Sequence, residues 1–253
     1  MKLKLLGLAV SALMLASCGK KDGESPAMAA SAEEEKVLNV YNWSDYIAPD
    51  TLAKFEKETG IKVTYDVFDS NEVLETKLVT GNTGYDVVVP SLTFLARQIQ
   101  AGVFMPLDKT KIPNLANMDP EIQANIAKLD PGNTHSVNYL WGTTGIGYNV
   151  KKIKEIFGDA APVDSWALVF DPANLAKLKE CGVYMLDTPS EIIPPVLNFL
   201  GEDPNSFDPA VIAKAEARLK ELRPYITQFH SSEYINALAN GDACVAVGWS
   251  GDI

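Results

Sequence analysis

Strand-length and helix-length segments alternate from Val37 onward, and few folds accommodate that rhythm. Val37 to Tyr41 is a short apolar run that predicts a strand. Asp50 to Thr59 carries Leu52 and Phe55 behind an acidic start, and Gly60 stops it, which is the pattern of a helix. Lys62 to Phe68 sets Val63, Tyr65 and Val67 at alternate positions, as a half-buried strand requires. Asp69 and Glu72 have capping-box spacing ahead of a helix with Leu74, Leu78 and Val79, ended by Gly81. Asp86 to Val89 has the composition of a buried third strand, and Pro90-Ser91 turns the chain into a helix containing Leu92, Leu95 and Ile99. This order predicts an α/β fold with a mostly parallel sheet. Ligands of such sheets sit beyond the carboxyl ends of the strands, here Asn42 to Tyr46 and Pro90-Ser91.

A second α/β unit begins after Trp141. Gly142, Gly145 and Gly147 punctuate a stretch of Thr, Ile and Tyr that reads as an extended crossover. Helices are expected at Pro172 to Glu180, Glu191 to Gly201 and Ala210 to Leu222, and strands at Gly182 to Leu186 and Ala243 to Val247. Ser231 is expected to cap a further helix running to Leu238. The working architecture is two lobes, residues 37–141 and 142–253, with a cleft between them.

Residues 1–17 have the layout of a secretory signal: Lys2 and Lys4, an apolar run from Leu5 to Leu15, then small residues. The run is too short for a stable bilayer-spanning helix. Leu15-Ala16-Ser17-Cys18 resembles a bacterial lipobox, which makes Cys18 a candidate acylated N-terminus; an ordinary cleaved signal with an incidental Cys18 is the other reading. Residues 18–36, rich in Gly, Ser, Ala and Glu, are expected to form a flexible tether. Export changes how Cys181 and Cys244 are read. Without C-x-x-C spacing or nearby histidines, they are either a disulfide or two buried free thiols.

The 33 acidic against 22 basic residues, a net charge of -11, argue against nucleic acid and anionic membrane surfaces and favour a cationic ligand. Catalytic and cofactor motifs are scarce. The two histidines, His135 and His230, exclude a histidine-rich metal site, and each reads as a structural or surface residue. Gly145-Ile146-Gly147 has Val150 where a dinucleotide fingerprint needs its third glycine, and Gly248-Trp249-Ser250-Gly251 brings its second glycine one position early for a nucleophile elbow. What remains is aromatic residues beside acids at strand ends: Trp43-Ser44-Asp45-Tyr46 and Trp249-Ser250-Gly251-Asp252. Core packing is the default for an isolated aromatic. One such cluster in each lobe points instead to an amine cage, since an aromatic face attracts a cation by about 0.5–2 kcal/mol and a carboxylate adds a charge-assisted hydrogen bond.

The segments Val40-Tyr41-Asn42-Trp43-Ser44-Asp45-Tyr46-Ile47-Ala48-Pro49, Tyr65-Asp66-Val67-Phe68-Asp69-Ser70-Asn71-Glu72 and Val88-Val89-Pro90-Ser91 closely resemble the periplasmic polyamine-binding proteins of ABC importers, and lean toward their putrescine-binding branch. So do Thr144-Gly145-Ile146-Gly147-Tyr148-Asn149, Phe229-His230-Ser231-Ser232 and Trp249-Ser250-Gly251-Asp252. The resemblance implies a two-lobed Venus-flytrap fold with mixed, mostly parallel sheets, and a binding protein rather than an enzyme. Carried across, Trp43, Tyr46 and Trp249 would line an aromatic box around a methylene chain. Ser44, Asp45 and Ser91 would be polar contacts of the first lobe, with Glu191 and Asp252 as ligand carboxylates of the second and Ser231 nearby. Glu191 without the resemblance reads as a solvated residue in a helix first turn. The resemblance also pairs Cys181 with Cys244. It implies a monomer, without cofactor or metal, that delivers putrescine or spermidine to an inner-membrane ABC permease and touches the membrane only through an anchor at Cys18. Relatives continue beyond the position of Ile253, so both lobes are expected to be incomplete, the first lacking its returning segment, and ligand binding by this chain to be weakened or absent. A lipid-anchored polyamine sensor and an exported hydrolase are the alternatives; the latter lacks base and nucleophile motifs.

Overall fold

The computed structural model describes residues 35–253. The expected signal peptide, the candidate acylation site Cys18 and nearly all of the expected tether lie outside the described residues. Lys36–Ile253 form one compact unit.

The first sheet holds β1 (Val37–Trp43), β2 (Lys62–Phe68) and β3 (Val87–Val88), connected through α1 (Thr51–Thr59) and α2 (Asn71–Val79), with α3 (Leu92–Gln100) after β3. Its strand order is β2-β1-β3 and both pairings are parallel, from Val37 opposite Lys62 to Trp43 opposite Phe68. Parallel neighbours need a crossover, and the two helices supply it. Gly60 ends α1 in the left-handed region, φ 70°, and its N–H bonds to Glu56 O at 2.9 Å, a closure that glycine adopts without a Cβ clash. Tyr41, Phe68, Leu74 and Leu78 are the buried centre of this half.

After α4 (Pro120–Ile126), the chain enters a second, four-stranded sheet. It consists of β4 (Thr144–Tyr148), β5 (Val183–Met185), β6 (Gln228–Phe229) and β7 (Val245–Trp249), ordered β4-β7-β5-β6. β5 runs parallel to β6 and β7, while β4 is antiparallel to β7, with Thr144 opposite Trp249. Around it pack α5 (Val150–Phe157), α6 (Ala167–Phe170), α7 (Pro172–Leu178), α8 (Pro189–Phe199), α9 (Pro209–Leu222) and α10 (Glu233–Asn240). The larger core is here, with Leu168, Phe170, Leu175, Val183, Met185, Leu197, Leu222, Tyr234 and Val245 to Val247 buried. Cys181 and Cys244 are bonded through sulfur across this core, with Cα atoms 5.5 Å apart.

Several expectations are corrected. The third strand is two residues long, and Val87 is 45% exposed, because β3 is an edge strand with β1 as its one neighbour in the sheet. Ser70, not Asp69, caps α2: its hydroxyl accepts from Val73 N at 3.3 Å. The cap of α10 falls on Ser232 rather than Ser231, and His230 serves that end, its Nδ1 accepting from the N–H groups of Ser232 (3.0 Å) and Glu233 (3.1 Å). The expected crossover at Gly142 to Tyr148 contains β4, whose strand character comes from its ladder with β7.

Candidate functional site

The aromatic and acidic clusters end two strands, and the fold brings them together. Trp43 is the last residue of β1 and Trp249 the last of β7. Their rings meet edge to face, centroids 5.4 Å apart. Trp43 is held through its ring and Trp249 through its backbone. Trp43 Nε1 donates to Val89 O at 2.9 Å and the ring leans on Phe68 at 4.7 Å, while Trp249 N donates to the Tyr234 hydroxyl at 3.1 Å. At this separation the two indoles touch directly, an edge-to-face arrangement aromatic pairs favour.

Carboxylates flank this pair. Asp45 is exposed, and its Oδ2 accepts from Ser44 Oγ (3.1 Å) and, across from the other sheet's helices, from Ser232 Oγ (2.7 Å). Asp252 Oδ2 accepts from the buried Tyr234 hydroxyl. The Tyr46 phenol pKa is pushed up by burial first, then by its contact with Asp252 and by the charges of Asp252 and Asp45. Tyr234 is raised in the same way, by burial and then by Asp252. Both phenols therefore stay protonated, and the Tyr234 hydroxyl is the one that donates to Asp252. Tyr139 donates its hydroxyl to the Tyr46 carbonyl, holding the loop after β1.

The other expected residues take varied positions. Ser91, at the head of α3, is tied to the buried Asn71, whose Nδ2 donates to Ser91 Oγ and whose Oδ1 accepts from Ser91 N, both at 2.9 Å. Glu191 lies in the first turn of α8 and accepts from Thr144 Oγ1, which places it beside the start of β4, directly opposite Trp249 in the ladder. Ser231 is 4% exposed and its hydroxyl is shared with Thr188 Oγ1 at 2.9 Å; the hydroxyl that reaches the first sheet's loop is that of Ser232. Among the described residues no basic side chain pairs with Asp45, Asp252 or Glu191. The described residues also gather no set of three metal-ligating side chains. The site thus combines uncompensated negative charge with π faces, and suits an organic cation.

Sequence reading missed Tyr234, Asn71, Thr144 and Ser232 as parts of this arrangement. Asn71 and Thr144 lie inside motifs that the sequence made conspicuous, and Tyr234 follows one by two positions. The same chemistry recurs inside the first half, where Lys77 Nζ stands 4.6 and 4.8 Å from the ring centroids of Tyr41 and Tyr85 and donates to Tyr85 Oη at 2.7 Å.

A two-sheet α/β body with a cation-suited cluster where the sheets meet is the build of an extracytoplasmic solute receptor. Residues 50–253 match the family described as bacterial extracellular solute-binding protein, and the chain belongs to that family. It is 57% identical over 251 residues to the putrescine-binding periplasmic protein SpuD of Pseudomonas aeruginosa, and 58% identical over 250 residues to the putrescine-binding periplasmic protein PotF of Escherichia coli. Those alignments cover 99% and 98% of this chain but 66% and 65% of the relatives, so the chain spans slightly less than two thirds of their length. Among solved structures, a Listeria monocytogenes protein described as a spermidine/putrescine ABC transporter superposes with a TM-score of 0.76 at 36% identity, covering 86% of this chain and 63% of its own.

Proposed function

We propose that this protein captures a polyamine, putrescine before spermidine, outside the cytoplasm and delivers it to an ABC permease of the inner membrane. The observation that carries this reading is the meeting of Trp43 and Trp249 between Asp45 and Asp252, one aromatic and one acid from each sheet. Ligand contacts are assigned to Trp43, Ser44, Asp45, Tyr46, Ser91, Glu191, Trp249 and Asp252, with Ser231 buttressing Thr188 from behind. The names of the relatives support the substrate class.

The magnitudes are adequate. Four putrescine methylenes contribute on the order of 3 kcal/mol at about 0.8 each. Cation-π contacts add about 0.5–2 kcal/mol, and net ion pairing brings the total toward the roughly 8 kcal/mol of micromolar binding. Diamine length is read by the spacing of the carboxylates, since a chain that does not span them leaves one charge unpaired. Closure of residues 37–141 against 142–253, acting as two lobes, is then a population shift driven by contacts that exist only in the closed form.

The same reading assigns periplasmic residence, a lipid anchor at Cys18, a Cys181–Cys244 bond formed on export, and a monomer. Calorimetry with putrescine on the full-length protein tests the central claim. Affinity is expected to fall at least tenfold in Asp252→Ala. Equal affinity in that variant, or binding of amino acids but not of diamines, overturns the assignment. Mass spectrometry of the mature N-terminus tests the anchor: an unmodified terminus beyond Cys18 refutes it.

A further inference from the structure

Two hydrogen bonds join a carboxylate of the first half to a serine in the opening turn or cap of a second-half helix. One is Asp45 with Ser232 at α10, already part of the site. The other is Glu72 with Ser190 at α8, 118 positions apart in the chain, where Ser190 Oγ donates to Glu72 Oε1 at 3.3 Å. Glu72 is not used by the ligand set. It does not close a capping box on α2 either, since its carboxylate turns outward to the other half. Its remaining oxygen, Oε2, is buried without a hydrogen-bond partner.

We infer that Glu72 is a positioning residue: through Ser190 it seats the first turn of α8, and with it the neighbouring Glu191, against the first half of the protein. Each element of the inference is local. Ser190 and Glu191 are consecutive in one rigid helical turn, and Glu72 follows Asn71, which is fixed to Ser91 by two hydrogen bonds. The Glu72 contact therefore sets the spacing between the Ser91 side and the Glu191 side of the site. The contact is long for an O–H···O bond, whose ordinary length is about 2.8 Å, and it takes a carboxylate oxygen out of water with no donor for it. Attraction and desolvation oppose each other, so the contact holds the halves together without locking them. A salt bridge in the same place would release less readily.

This inference depends on the polyamine reading only for its affinity arm; its conformational arm needs no ligand. Small-angle scattering of the ligand-free chain reads the separation of the halves. Glu72→Ala and Ser190→Ala are each expected to raise the radius of gyration and to be no worse together than singly. Glu72→Gln keeps the acceptor while removing the buried charge, and is expected to stay as compact as the wild type. In calorimetry the two alanine variants are expected to lose about 3- to 10-fold in affinity, equally for putrescine and spermidine, with Glu72→Gln at or above wild-type affinity. Ser190 is exposed, so its alanine variant folds even where Glu72→Ala does not. Unchanged scattering in Ser190→Ala overturns the inference. So does a Glu72→Gln variant as damaged as Glu72→Ala, or an altered ratio of putrescine to spermidine affinity, either of which makes Glu72 a direct ligand contact. A full-length wild-type protein that binds no polyamine refutes the proposed function instead and leaves the scattering result to decide this one.

Discussion

Replacing Tyr234 by Phe removes one oxygen atom from a fully buried side chain and tests how the site is supported from behind. The hydroxyl does two things: it donates to Asp252 Oδ2 and accepts from Trp249 N at 3.1 Å. Without it a carboxylate loses its donor and a backbone N–H loses its acceptor, while the ring itself still fills its place beside Gly248. A hydrogen bond to a charged group is worth about 1.5–3 kcal/mol, and an orphaned buried N–H costs about 1–3 kcal/mol. Asp252 is only half-buried, so water replaces part of the loss, and a net destabilisation of about 2 kcal/mol is expected. Both the aromatic and the acidic element on the β7 side lose their alignment, so putrescine affinity is expected to drop about tenfold, equivalent to roughly 1.4 kcal/mol. Urea denaturation with an unchanged m-value reads the first quantity and calorimetry the second. Stability within about 0.5 kcal/mol of wild type together with unchanged affinity would refute the reasoning, because a surface-like response is incompatible with a load shared by Asp252 and Trp249.

Other outcomes follow from features away from the cage. The buried Asp130 accepts from the N–H groups of Thr134, His135 and Ser136 and from the Ser136 hydroxyl; burial pushes its carboxyl up, but these donors and His135 outweigh it and hold its pKa below the ordinary carboxylate value. A pKa depressed by folding stabilises above the unfolded value and is lost as pH falls through the folded one, so the urea midpoints of wild type and Asp130→Asn are expected to differ at neutral pH and to converge only once the pH drops below the ordinary carboxylate range. Gly248→Ala would set a Cβ 2.4 Å from Tyr234 Cε2, and a loss of about 1–3 kcal/mol in denaturant melts is expected from forcing a buried ring aside. Reducing Cys181–Cys244, 63 positions apart, is expected to cost about 4 kcal/mol by the loop-entropy argument, measured as the shift in urea midpoint with and without reductant.

The first half of the fold was legible because its residues state their period plainly. Lys62 to Phe68 alternates and is a strand over those same residues. Asp50 to Thr59 reads as a helix stopped by Gly60 and forms one from Thr51 to Thr59. Caps were displaced by one residue because adjacent hydroxyls and carboxylates compete for the same N–H groups, and local geometry decides between Asp69 and Ser70. β4 was hidden because Thr144-Gly145-Ile146-Gly147 carries few bulky β-forming side chains; its pairing with β7 supplies what propensity does not. α5 escaped although Asn149 caps it, its side chain accepting from Lys152 N at 3.1 Å. The aromatic and acidic ends of β1 and β7 stood out as composition. Tyr234 and Glu72 did not, because a tyrosine on a helix and a glutamate in a helix first turn acquire their roles only from what the tertiary fold sets in front of them.

The bond between Asp45 and Ser232 joins residues 187 positions apart. Contacts of such separation must bear the loop-closure entropy of nearly the whole body before they yield anything, and they form late in folding. β1 comes early in the chain and waits for β7 before Trp43, already held by Phe68 and Val89, meets Trp249. Partly folded chains therefore hold the two sides of the site apart, and Trp43 meets Trp249 only in a chain whose second core has already condensed.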